Sequence, residues 1–179
     1  KEMLRQMKSG NPTDAYALED LRPEYFDRDA RIKLMDEQRV DAALLYPATM
    51  GTMAEHYVRG VDPLYVNLHA YNQFLDDTWG FDRDGRIYVP AVLSLRGLDR
   101  AVDELEHVLA RGARFVMLQA GPAYGRSPGD PYFDPFWARI DEAKASVAFH
   151  IGELWYNEHV APAWGLDPEP VFFEMSAWQ

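Results

Sequence analysis

Four short, continuously apolar runs, each followed or preceded by a stretch of helical period, constrain this chain more than any other feature. Asp41-Ala-Ala-Leu-Leu-Tyr46 is the first and is stopped by Pro47. Ile87-Tyr-Val-Pro-Ala-Val-Leu93, Phe115-Val-Met-Leu118 and Ser146-Val-Ala-Phe-His150 are the others. Runs of this length without polar alternation suit buried parallel strands. Between them the apolar spacing changes to that of helices. Leu98, Ala101, Val102, Leu105, Val108 and Leu109 repeat at three and four residues, and Gly112 supplies a C-terminal stop. Leu68, Tyr71, Leu75 and Trp79 predict a stripe on the helix before Ile87. Phe136, Trp137, Ile140 and Ala143 predict one on the helix opened by Asp134 as N-cap and Pro135 in the first turn. A further helix over about 29–38 leads into the first strand.

Strict alternation of helix and strand implies right-handed βαβ units and a parallel sheet. Two α/β architectures satisfy it, a piece of a (β/α)8 TIM barrel and a doubly wound open sheet. No Gly-x-Gly-x-x-Gly follows a strand, which removes the main support for a dinucleotide-binding sheet. The loops after the strands are long, notably 47–63 and 120–132, and that is the end at which barrels build their sites. The expectation is a partial barrel, one domain over 1–179.

Composition limits the function classes. The net charge of -11 disfavours nucleic acid and anionic membrane surfaces as partners. The chain has no cysteine, so a metal would be held by His and carboxylate. No apolar run approaches a membrane span, and no signal-peptide pattern opens the chain; the plain reading is cytoplasmic. The chain begins at Lys1 and stops on the apolar Val171-Phe-Phe-Glu-Met-Ser-Ala-Trp-Gln179, which suggests a stretch of a longer protein.

His150 is the first candidate for chemistry. It closes a strand, and the C-terminal strand ends form the active face of α/β proteins. A neutral imidazole there suits a metal ligand or a general base, and equally a hydrogen bond to loop backbone. His150, Glu153 and His159 could be drawn as a ligand set, but the spacing matches no strong motif and a solvated loop with Glu158 is the better account. His56 falls in a loop, His69 on a helix, and His107 between Glu104 and Glu106 on what reads as an exposed helix face. Ala120-Gly-Pro-Ala-Tyr-Gly-Arg-Ser-Pro-Gly-Asp130 offers Arg126 and three glycines to an anion, although a long barrel loop explains it better. Asp130 and Asp134 read as turn and cap residues. Thr49, in the turn leaving the first strand, is a candidate for substrate contact, and a plain turn fits it as well. No Ser-His-Asp set and no nucleophile elbow is present.

In order and spacing, 41–47, Tyr71-Asn-Gln-Phe-Leu75, 87–93, Arg111-Gly-Ala-Arg-Phe-Val116, Asp134-Pro-Phe-Trp137 and Val147-Ala-Phe-His-Ile-Gly152 resemble the amidohydrolase-related family, which includes aminocarboxymuconate semialdehyde decarboxylase and the aromatic-acid decarboxylases. The resemblance is clearest over 30–152. It implies a (β/α)8 barrel with one divalent metal, zinc in first place and manganese in second, acting as a Lewis acid in hydrolysis or decarboxylation of a small carboxylate or aromatic acid. It also implies a homodimer. In that family the metal is held by a His-x-His pair, a His ending a middle strand and a late Asp, with a further His as acid and base. His150 is the counterpart of the middle-strand ligand. No His-x-His occurs in the sequence, and the acid-base residue stays unassigned. Trp164 corresponds to an aromatic residue lining the substrate pocket. The alternative is a barrel relative without chemistry, acting as a binding or oligomerisation module.

Overall fold

The computed structural model describes residues 21–47, 54–55 and 57–150. The chain divides at Arg39–Val40 into two compact units. In the first, a 3-10 turn at Pro23–Tyr25 precedes α1 (Arg28–Gln38). Asp27 caps α1 by accepting a 2.7 Å hydrogen bond from the Ala30 N–H, and the helix starts one residue before its expected start.

The second unit carries the sheet. Its order is β1 (Ala43–Leu44), α2 (Val61–Thr78), β2 (Ile87–Tyr88), β3 (Ala91–Val92), α3 (Leu98–Ala110), β4 (Phe115–Gln119), a 3-10 turn at Pro131–Phe133, α4 (Asp134–Ala143) and β5 (Ser146–His150). β1 pairs in parallel with β2, β3 with β4, and β4 with β5. All four expected strands are present, and the third and fourth fall within a residue of their expected bounds. The strand expected over 87–93 is divided in two. Pro90 has no N–H to give to a ladder, and the Val89 N–H turns aside to Phe81 O at 3.2 Å.

Neighbouring strands follow chain order with no reversal among the described residues. A doubly wound sheet reverses its order at a switch point. The rings of Tyr46, just past β1, and His150, at the end of β5, lie 5.6 Å apart. In a flat sheet three strand spacings would hold their backbones roughly 14 Å apart. The contact fits a sheet that curls with these side chains on its concave side, as a barrel arc does.

β4 runs between two neighbours and is buried through Val116, Met117 and Leu118, whereas β5 has one described neighbour and exposes Phe149. Burial was expected for both strands, and among the described residues β4 has it. α3 buries Ala101, Leu105 and Val108 along the stripe its sequence shows. α2 differs from expectation: its buried face is Leu64, Leu68 and Leu75 with the polar Tyr65, Asn72 and Asp76, while Tyr71 and Trp79 sit at the margin. α4 buries Phe136 and Ile140. Asp134 is the first residue of α4 and not its cap, because Asp130 already closes the preceding turn by accepting from the Tyr132 N–H at 2.8 Å.

Gly97 starts α3 with φ +81°, and a Cβ there would sit 2.5 Å from Val61 Cγ1. A side chain would strain the backbone and push apart the first turns of α2 and α3. That close approach sets where the chain leaves β3, which is where the site begins. No helix among the described residues is long and apolar enough to cross a membrane.

Candidate active site at the C-terminal strand edge

The strands deliver polar groups to one edge. Gln119 pairs with His150 in the β4–β5 register. Val92 pairs with Met117, and the Leu93 N–H continues the ladder to Met117 O at 2.9 Å, so Ser94 falls in the next row beside Gln119. Residues in register share a face. Ser94, Gln119 and His150 therefore form one row across three strands, with Tyr46 reaching in from β1.

His150 is half-buried, and its Nδ1 is buried with no hydrogen-bond partner among the described residues; Gln119 Oε1 is in the same condition. Buried polar atoms without partners are rare in folded proteins and call for a cause.

Beside this row stands a charged cluster that the sequence did not reveal. Arg96 Nη1 donates to the Glu55 carbonyl at 2.5 Å, and its Nε lies 3.8 Å from Glu55 Oε2. The guanidinium stacks over Tyr124, 5.2 Å from the ring centroid, and the Arg96 side chain remains about one third exposed, at 32%. Tyr124 has φ +50° and is followed by Gly125 at +75° in a two-residue turn closed by Ala123 and Arg126. A bulky residue in the left-handed region is uncommon; the turn holds this ring out, where it meets Arg96.

Burial pushes the Glu55 carboxyl above its ordinary value, against the lowering effects of the Ser94 hydroxyl and Arg96. Glu55, Gln119 and 121–123 also line a cavity of about 10 Å³, room for one water. Because the fold favours the protonated carboxyl, the stability it contributes is present below the ordinary value of 4.5 and is lost as pH rises through the raised folded value. Thermal melts from pH 4 to 8 are expected to show this decline, and Glu55→Gln is expected to remove it. Parallel curves for the two proteins would refute the assignment.

Several expected residues are placed differently. Arg126 is engaged within its own loop: it pairs with Asp130 at 3.3 Å and stacks on Tyr132 at 4.7 Å. The loop reading prevails over the anion cradle. His107 is not on an exposed face. Its Nε2 is buried, its ring lies 4.5 Å from that of His69, and Glu104 beside it is buried. Glu104 accepts from Asn72 Nδ2 at 2.8 Å and lies 2.8 Å from His69 Nδ1. These two histidines lie on α2 and α3, apart from the Ser94–Gln119–His150 row. Thr49, His56, Glu153, Glu158, His159 and Trp164 lie outside the described residues. Among the described residues no three His, Asp or Glu side chains are grouped to hold a metal ion.

The family model described as Amidohydrolase matches residues 9–177. The chain belongs to the amidohydrolase family. An amidohydrolase from Mycobacterium avium subsp. paratuberculosis K-10, known from a crystal structure, is similar at 39% identity and a TM-score of 0.74. The match covers 92% of this chain and 47% of that one, so the chain spans about half the length of that relative. None of the curated proteins matches. The amidohydrolase assignment agrees with the resemblance read from the sequence. The parallel order and the curl are consistent with it, and His150 stands at the C-terminal edge of the strands.

Proposed function

We propose that the whole protein is a metal-dependent hydrolase or decarboxylase acting on a small carboxylate, and that this chain supplies one wall of its site. The observation that carries the reading is His150, an imidazole ending β5 on the concave side of the sheet of an amidohydrolase. A neutral imidazole at a strand end fits a metal ligand in donor chemistry. His150 would hold a divalent ion, zinc or manganese, with further ligands that are not among the described residues. A bound ion supplies Lewis acidity at the substrate oxygen or a more acidic water.

The chain's own residues supply binding and orientation. Tyr46 packs against the His150 ring and limits its rotation. Arg96 offers a planar donor fork to a substrate carboxylate, with Glu55 and Tyr124 fixing the guanidinium from two sides. Arg96→Gln is expected to raise KM for a carboxylate substrate by roughly 10- to 100-fold, since hydrogen bonds to charged groups are worth about 1.5–3 kcal/mol. An unchanged KM would remove Arg96 from substrate binding. Arg96→Lys should recover only part of the loss, because a point charge cannot bond in the bidentate way.

The proposal as a whole is tested by metal analysis of the purified full-length protein by mass spectrometry, alongside turnover of aromatic and aliphatic carboxylates. A metal-bearing, active protein supports it. A metal-free protein that turns over none of them supports the alternative, a barrel relative that only binds.

A further inference from the structure

We infer that Gln119 is a positioning residue for His150: its side-chain carbonyl accepts the Nδ1 proton of the imidazole and so leaves Nε2 as the nitrogen presented to a ligand. Three observations carry this. Gln119 and His150 are direct register partners on adjacent parallel strands, so both side chains leave the sheet on the same face, side by side. Each carries one buried atom without a partner, and the two are complementary, an acceptor at Gln119 Oε1 and a nitrogen able to carry hydrogen at His150 Nδ1. Tyr46 packs on the His150 ring at 5.6 Å and restricts it, so a small rotation of the Gln119 amide is the easier way to close the bond. A single hydrogen bond then accounts for both unpartnered atoms, each of which would otherwise cost on the order of 1–3 kcal/mol.

The functional consequence is the choice of tautomer. An imidazole whose Nδ1 is held by an acceptor has its lone pair on Nε2, and residues that hold a ligating imidazole in this way sharpen its affinity for a metal. Carboxylates and backbone carbonyls are the usual acceptors for this role. A neutral amide fixes the same tautomer without adding negative charge beside the imidazole.

The inference deepens the proposed function, because its metal consequence rests on His150 being a ligand; its tautomer consequence does not. The test uses metal-free full-length protein labelled with ¹⁵N at histidine, with the His150 signal assigned by its loss in His150→Ala. Long-range ¹H–¹⁵N correlation spectra are expected to show His150 protonated at Nδ1 in the wild type. They should show it shifted toward Nε2–H in Gln119→Leu, and returned to Nδ1–H in Gln119→Glu, which keeps an acceptor. Circular dichroism establishes that each variant is folded, and should the leucine variant fail to fold, Gln119→Met serves in its place. Zinc titration should show affinity falling roughly 10- to 100-fold in the folded acceptor-free variant. A wild-type His150 protonated at Nε2, or a tautomer indifferent to residue 119, overturns the inference. A tautomer that responds while zinc affinity does not leaves the Gln119–His150 bond standing and overturns instead the reading of His150 as a ligand.

Discussion

His150→Ala is expected to lower the metal affinity of the full-length protein by more than a hundredfold, and turnover with it. Loss of an outer hydrogen bond to a ligand costs roughly 10- to 100-fold, and loss of the ligand itself costs more. The expected stability change is small. His150 is the last residue of β5 and half-buried, so alanine removes a ring packed on Tyr46 and the inferred hydrogen bond to Gln119 at the edge of the sheet, not a core contact. The two effects therefore separate. Metal content by mass spectrometry should collapse while the melting temperature moves by a few degrees at most. Equal metal content in wild type and variant would sink the assignment. A collapse of both quantities would point to a structural role for the ring.

Asn72→Ala is expected to be the most damaging polar substitution among the described residues, costing on the order of 3–5 kcal/mol, because three groups lose a partner at about 1–3 kcal/mol each and partial relaxation offsets some of it. Asn72 is almost fully buried. Its amide nitrogen donates to Val92 O at 2.9 Å and to Glu104 Oε1 at 2.8 Å, and its oxygen accepts from the Val92 N–H at 2.8 Å. The reason lies in the strand. The Leu93 N–H goes to β4, so the peptide groups of Val92 face away from β4. On that other side β1 bonds only as far as Tyr88 O, through the Leu45 N–H, and Pro90 has no donor to continue the ladder. Asn72 supplies the bonds that a neighbouring strand would have made. Asn72→Asp should be no better than alanine, because it loses the donor and brings a carboxylate to the buried Glu104. Urea unfolding measures this directly. A midpoint loss equivalent to less than 1 kcal/mol at constant slope would show that water replaces the amide.

These cases mark where the sequence is legible. α3 was legible because its buried face is apolar at helical spacing, and Gly112 closes it at φ +92°. β4 and β5 were legible because short continuous apolar runs between helical segments have few other uses. The division at Pro90 was legible in principle, since a proline inside a core strand removes a ladder donor. The polar face of α2 was not. Asn72 and Glu104 sit at positions where an apolar residue is the rule, and they are acceptable because they bond each other, and Asn72 bonds Val92, across twenty residues of chain or more. His107 was misplaced for the same reason: its glutamate neighbours imply solvent, whereas Glu104 turns inward.

The site divides in the same way. His150 could be found from the sequence because a strand end is a local property. Arg96, Glu55, Gln119 and Tyr46 could not, because each is ordinary in its local context and acquires a role only when β1, β3, β4 and β5 bring their C-terminal ends to one edge. Arg126 shows the converse. Its glycine-rich surroundings suggested an anion, and only the fold reveals that Asp130 and Tyr132 already occupy its guanidinium.

The sequence by itself determined the alternation of helix and strand, the parallel pairing, the family and one strand-end imidazole. The alternation, the pairing and the strand-end position follow from local periodicity and element order, and the family from a resemblance in the order and spacing of segments over 30–152. The tertiary structure alone decided which polar side chains are buried against one another, which partners each arginine has, and that Gln119 stands beside His150. Those are properties of strand register and sheet curl, which depend on contacts between segments tens of residues apart.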